Sequence, residues 1–255
     1  MLNIPKPTLG DVTAITITTP DLETSLAFYQ KLGFKELFRA DMQFPWIQIT
    51  DGALLIMLRK DSQPYIALTY YVMDIDKSVA ELTTAGISFV TKPNPNDMIK
   101  RCLMRSPDGM NVSLVTFVEG FFQPTGPTLL TMPPTDFSNP EKYPNRVCGI
   151  FGEFACPVTD IDASMEFWTK LGFILLSRRT SPYPWAIISD GLSIIGLHQT
   201  DSFTKPTITF FAKDMKEKIE TLKANGIGDI SEKGGANIVV TSPEKQNINL
   251  FKLGM

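Results

Sequence analysis

The chain has one histidine, three cysteines, no block of like charge and no long apolar run. Each shortage excludes something. A single histidine cannot supply the two-histidine, one-carboxylate set that holds non-haem iron. Cys102, Cys148 and Cys156 are odd in number and lack the paired spacing of a zinc site, so buried, reduced thiols without a role are expected. The 24 basic and 27 acidic residues are interspersed, and a formal net charge of −3 leaves no footprint for nucleic acid or an anionic membrane. No stretch reaches the roughly 20 apolar residues of a membrane span, and the first residues do not read as a secretion signal. A cytoplasmic protein with a small-molecule partner is expected. With 43% apolar and 20% charged residues, the composition is globular.

What the chain does have is a copy of itself. Residues 19–34, TPDLETSLAFYQKLGF, return at 159–173 as TDIDASMEFWTKLGF. Asp21 matches Asp160, Ser25 matches Ser164, Phe28 matches Phe167, and Leu32-Gly33-Phe34 matches Leu171-Gly172-Phe173. At the same offset Pro45-Trp46 meets Pro184-Trp185, and Asp51-Gly52 meets Asp190-Gly191. A duplicated domain follows, and each copy becomes a control for the other.

Within the first copy, residues 12–18 alternate as a half-buried strand does. Asp21 is placed to cap a helix carrying Leu22, Leu26 and Tyr29 at helical spacing, and Gly33 is placed to stop it. Strand-like runs follow at 34–40, 46–50 and 53–59, with Asp51-Gly52 as the hairpin turn. A second βαβββ unit runs from Tyr65 to Phe117, with a helix near 75–85 and a turn at 106–109. The later half repeats both units, giving four βαβββ modules of the α+β class with mixed sheets. Expected boundaries are 8–118 for the first domain and 147–255 for the second. Residues 119–146 between them carry Pro124, Pro127, Pro133, Pro134, Pro140 and Pro144, and are expected to be a structureless linker.

The capped helix with its x-D-(L/I)-x-x-S-x-x-F-(Y/W)-x-x-L-G-F pattern, between one strand and three more, resembles the vicinal oxygen chelate superfamily of glyoxalases, bleomycin resistance proteins and extradiol dioxygenases. The resemblance implies two tandem glyoxalase-like domains, each a sheet curled into a cup, with enzymes of the family holding a divalent metal inside it. Carried over residue by residue, the family's ligand positions fall on Ala14, Met57, Ala67 and Ser113 in the first domain, and on Glu153, Gly196, Thr207 and Asn249 in the second. Methyl groups offer no lone pair and a thioether suits soft metals. No cofactor is expected, with a divalent metal left open in the second domain.

Alternation extends the two cup faces. The first would carry Trp46, Gln48, Leu55, Arg59, Thr16, Thr18, Thr69, Tyr71 and Asn111. The second would carry Trp185, Ser189, Ile194, His198, Ala155, Thr209, Phe211, Asn247 and Phe251. For Trp46 and Trp185 two roles are open: packing at a strand start, or a wall for stacking, where about 200 Å² of covered aromatic surface contributes up to ~5 kcal/mol before entropic costs. His198 and its counterpart Arg59 are read as rim residues in water, with a catalytic histidine as the sharper alternative; Arg39 and Arg59 could read an acidic ligand. Trp168 belongs to the core. Glu153 is the catalytic candidate, since a carboxylate facing a cavity must meet water, a cation or a ligand nitrogen.

Two functions from different classes follow. One is a metal-free protein binding a small aromatic or heterocyclic molecule, with Trp46, Gln48, Arg59, Tyr71, Asn111, Trp185, His198, Phe211 and Asn249 as contacts. The other is a glyoxalase-type lyase, an isomerase or a dioxygenase-like oxygenase with an irregular metal or acid/base site at Glu153, His198 and Asn249. A scaffold whose cups are filled by its own side chains is a third possibility. A monomer is expected, the duplicated halves imitating a homodimer.

Overall fold

The computed structural model describes residues 5–41, 43–120, 122–234 and 237–254. The first module is β1 (Val12–Thr19), α1 (Leu22–Lys31), β2 (Lys35–Ala40), β3 (Trp46–Thr50) and β4 (Leu55–Lys60). The second is β5 (Ile66–Val72), α2 (Ile75–Thr84), β6 (Phe89–Thr91), β7 (Arg101–Arg105) and β8 (Asn111–Thr116). The third is β9 (Ile150–Pro157), α3 (Ile161–Lys170), β10 (Ile174–Arg179), β11 (Trp185–Ser189) and β12 (Ile194–His198). The fourth is β13 (Thr207–Ala212), α4 (Met215–Ala224), β14 (Ile230–Gly234), β15 (Asn237–Thr241) and β16 (Asn247–Lys252). Four βαβββ modules are therefore present, as the repeat implies.

The strands form two eight-stranded sheets of the same order, β2-β3-β4-β1-β5-β8-β7-β6 and β10-β11-β12-β9-β13-β16-β15-β14. Both are mixed: β5–β8, β12–β9 and β13–β16 run parallel, while the hairpins are antiparallel.

Local chemistry sets the helix ends. Asp21 accepts hydrogen bonds from the Glu23 and Thr24 amides at 3.0 and 3.1 Å, and Asp160 does the same for Asp162 and Ala163. Gly33 and Gly172 stop α1 and α3 at φ 91° and 89°, a region other residues enter at a cost.

Each three-stranded hairpin set has one face toward its helix. Arg39 shares a face with Ile47 and pairs with Glu23 on α1; Arg178 shares a face with Ala186 and pairs with Asp162 on α3. Ile47, Ile49, Ile56 and Leu58 fill that face in the first copy, and Ala186, Ile188, Ile195 and Leu197 in the second. The opposite, helix-free face carries the candidate site residues. Arg39 is thus removed from the candidates, because it sits on the helix side bound to Glu23 and Glu36.

By contacts the chain divides into two compact units. One comprises Met1–Ile15, Ile66–Gln123 and Phe154–Pro206, and so contains the second module and most of the third. Inside it the Tyr70 hydroxyl donates to Asp190 at 2.5 Å, Asp108 accepts from the Thr159 amide and the Ser164 hydroxyl, and Trp168, buried as expected, meets Phe173 edge-on. The other comprises Thr16–Tyr65, Pro124–Glu153 and Thr207–Met255, and so contains most of the first module and the fourth. Here Ser25 and Tyr29 donate to Glu244 at 2.9 and 2.8 Å, and Phe34 and Phe151 both meet the ring of Phe210.

The proline-rich segment departs from the structureless linker expected. It forms two 3₁₀ turns, Pro134–Asp136 and Pro140–Lys142, each led by proline at a position whose missing N–H goes unused. Its backbone is also engaged: Gly126 N donates to Gly52 O and Leu129 N to Phe151 O. Asn145 closes it, donating to Leu32 O and Asp51 and accepting from the Val147 and Cys148 amides. Asp214, at the start of α4, does not cap its helix. It pairs with Lys218, which is 4% exposed and also donates to Arg146 O at 2.6 Å over the Tyr143 ring.

The three cysteines are buried thiols, and burial pushes the Cys102 thiol up to about 11. No described helix is long and apolar enough to cross a membrane.

Two predictions follow from buried charge. Lys218→Met leaves Asp214 without its cation and should lower stability by about 3 kcal/mol in urea denaturation, while Lys218→Met with Asp214→Leu should recover part of the loss. Burial raises the carboxyls of Asp51 and Asp190 above the ordinary 3.8. A raised folded-state value means the native state holds its proton longer, so this contribution is complete below pH 3.8 and is lost as pH rises through the folded value. Asp190→Asn should carry a constant cost from the lost Tyr70 bond, and the gap between wild type and variant in melting temperature should narrow as pH is raised from 4 to 7.

Candidate functional site

The helix-free faces are built by register. On the first sheet Trp46 lies opposite Arg59, Gln48 opposite Met57 and Thr50 opposite Leu55. On the second, Trp185 lies opposite His198, Ile187 opposite Gly196 and Ser189 opposite Ile194. The tryptophans of the two copies are thus half-buried in the same setting, each beside a side chain able to carry positive charge.

Neither Arg59 nor His198 is a simple rim residue. The Arg59 guanidinium lies 5.2 Å from the Phe44 ring centroid and 5.1 Å from that of Tyr65, with Asp61 at 3.3 Å. His198 has Tyr183 Oη 3.2 Å from Nδ1 and the Phe203 ring edge-on at 5.7 Å. Each head is clamped by aromatic rings from flanking loops, which stabilises a cation or imidazole away from bulk water. Phe44 and Tyr183 were legible as aromatic-proline pairs before each tryptophan; Tyr65 and Phe203 carried no comparable signal. An acidic ligand would have to displace Asp61 to use Arg59.

Gln48 is 1% exposed, and its Nε2 has no hydrogen-bond partner among the described residues. An unmet buried amide costs on the order of 1–3 kcal/mol. Phe38 lies directly across from Gln48 on β2, and its ring meets Trp46 at 5.5 Å.

The positions onto which the resemblance carries the family's metal ligands hold other chemistry. Ala14 and Ala67 are buried methyl groups, and Met57 is a buried thioether. The Ser113 hydroxyl is spent on Thr69 at 2.8 Å. On the second sheet Asn249 turns its amide N–H groups toward Thr207 Oγ1 at 2.9 Å and Thr209 Oγ1 at 3.3 Å. Glu153, 6% exposed on β9, is the ionisable member of that set, and Gly196 contributes no side chain. Among the described residues no three of His, Cys, Asp and Glu gather into a possible ion site. One carboxylate with a hydroxyl and an amide already bonded to each other is a poor donor set for a hard divalent ion.

The remaining candidates are placed as follows. Tyr71 is buried, and desolvation raises its phenol well above 10. Asn111 donates to Ile66 O and accepts from Arg105 Nε, so its amide is engaged at both ends. Thr18 donates to Gln63 O and accepts from Tyr65 N, closing the edge of the first module. Phe211 packs edge-on against Phe251 and lies over the backbone of Gly152, where a Cβ would sit 2.3 Å from its ring. Asn247 accepts from Thr241.

Comparison with known proteins finds one family model and a set of similar structures. The model of the Glyoxalase/Bleomycin resistance protein/Dioxygenase superfamily matches residues 11–114. No curated protein matches the chain in sequence. Among solved structures it is similar to the 2,3-dioxygenase LapB from Pseudomonas sp. KL28, at 16% identity and TM-score 0.62, over 100% of this chain and 93% of that one. Homoprotocatechuate 2,3-dioxygenase from Arthrobacter globiformis is similar at 15% identity and TM-score 0.63, over 98% and 81%. A variant of homoprotocatechuate 2,3-dioxygenase from Brevibacterium fuscum matches at 15% and 0.61, over 97% and 72%. At such identity these neighbours speak for the fold. The sequence match identifies residues 11–114 as a member of the glyoxalase/bleomycin resistance protein/dioxygenase superfamily, and the second half repeats the same sheet order.

Proposed function

We propose that this protein binds a small aromatic or heterocyclic molecule on the helix-free face of one or both sheets, and that it does so without a metal. The observation that carries this reading is the state of the inherited ligand positions. Ala14, Met57, Ala67 and Gly196 offer no hard oxygen or nitrogen ligand, and the polar groups there are spent on neighbours, Ser113 on Thr69 and Asn249 on Thr207 and Thr209. Trp46 and Trp185 are half-buried at the same place in the two copies. Planar rings and a few fixed polar groups are the usual make-up of a small-molecule site.

The chain's residues would act by binding and orienting. Trp46 and Trp185 offer stacking surface, and Gln48 offers a donor. The clamped Arg59 and His198 set the polarity beside the tryptophans. Glu153 is the one ionisable side chain at the inherited positions, and it carries the alternative of an acid/base or irregular metal site in the second half.

The test is elemental analysis of protein purified without chelator, with thermal-shift screens of divalent ions and of planar aromatic compounds. The expected result is no stoichiometric metal, no response to divalent ions, and a rise of roughly 5 °C or more from a bound aromatic compound at 100 times its Kd. A stoichiometric metal that is lost in Glu153→Ala would overturn the metal-free reading in favour of the enzyme. No response to any compound would favour a scaffold.

A further inference from the structure

We infer that the helix-free face of β2, β3 and β4 takes a flat, neutral aromatic carbonyl compound, whose carbonyl oxygen accepts a hydrogen bond from Gln48 Nε2. This rests on the small-molecule reading above and assigns it a face and a chemical group.

Gln48 is buried to 1% exposure with an amide donor that no described residue satisfies. Native structures pair the great majority of such groups, so an unmet one calls for an acceptor. The duplication shows that the fold itself does not require this amide. Ile187 holds the same position on β11, opposite Gly196 as Gln48 is opposite Met57, and the strands, register and Asp-Gly turn are otherwise alike. A group unnecessary for folding and unpaired when folded is a candidate for binding.

Its surroundings define the rest of the ligand. Phe38 is 54% exposed, lies across from Gln48 on the same face and meets Trp46 ring to ring, so an exposed ring stands next to the buried donor. A planar apolar body suits the rings, with an oxygen acceptor at its leading end. In the second copy Ser177 lies opposite Ile187, so both the ring and the donor are missing there. The acceptor should be neutral. Arg59, two residues along from Met57, is already engaged by Asp61 and clamped between Phe44 and Tyr65, which leaves a buried carboxylate without compensation.

The experiment is isothermal titration of the whole chain with two matched pairs, 1-indanone with indane and 4-chromanone with chroman, on wild type and on Gln48→Ile. Isoleucine is the residue the second copy uses, so the variant should fold with an unchanged or raised Tm. Wild type is expected to bind each ketone roughly tenfold or more tightly than its deoxygenated partner, because the partner leaves the amide unmet. Gln48→Ile should keep its affinity for the deoxygenated compounds and lose the ketone preference. Should Gln48→Ile fail to fold, Gln48→Met provides the same comparison. Equal affinity for both members of each pair in wild type, or a ketone preference that survives in the variant, overturns the carbonyl assignment while small-molecule binding stands. Absence of binding by all four compounds to wild type overturns this assignment and counts against the small-molecule reading as well.

Discussion

Each compact unit depends on a buried hairpin carboxylate that holds together segments far apart in the chain. In one unit Asp190 accepts from the Leu192 and Ser193 amides of its own turn and from the hydroxyl of Tyr70, 120 residues away. In the other Asp51 accepts from Ala53 and Leu54 and from Asn145, 94 residues away. A carboxylate out of water is costly unless several donors surround it, and three donors at each site are what make burial tolerable. Removing a distant donor therefore weakens a turn and a long-range connection together. A second pair of carboxylates, Asp108 and Glu244, ties a strand turn to the face of a helix in the same manner.

With these ties the two faces of each sheet have separate tasks. The helix side is filled with branched aliphatic residues and is closely matched between copies. The other side is where the copies diverge: Gln48 becomes Ile187, Met57 becomes Gly196, Arg59 becomes His198. Fold-determining packing constrains the first face, and the second is free to change its chemistry without cost to the topology. That is why the sheet order is the same in both copies while the side chains on the second face differ.

Much of the architecture could be read in advance, because it rests on local signals. The Asp21 and Asp160 caps, the Gly33 and Gly172 stops and the Asp-Gly turns all act within a few residues, and the repeat confirmed each by a second example. The candidate site was legible as positions on alternating strands. What those positions do was less so. Arg39 alternates like a face residue, yet a bulge between Glu36 and Phe38 in the β2–β3 register sets it on the helix side. The proline-rich stretch reads as a loose tether by composition, yet Asn145 and Lys218 fasten it, through partners that lie far from it in sequence.

By itself the sequence determined the four modules, their duplication, the identity of the buried face and the absence of histidines for an iron triad. These depend on period, spacing and composition, which are properties of the chain read in order. Tertiary structure decided which polar groups are satisfied: that Asn249 bonds Thr207 and Thr209, that Arg59 and His198 are clamped by rings, and that Gln48 has a buried donor left over. Hydrogen-bond satisfaction depends on distances of about 3 Å between residues remote in sequence, and no local pattern encodes them.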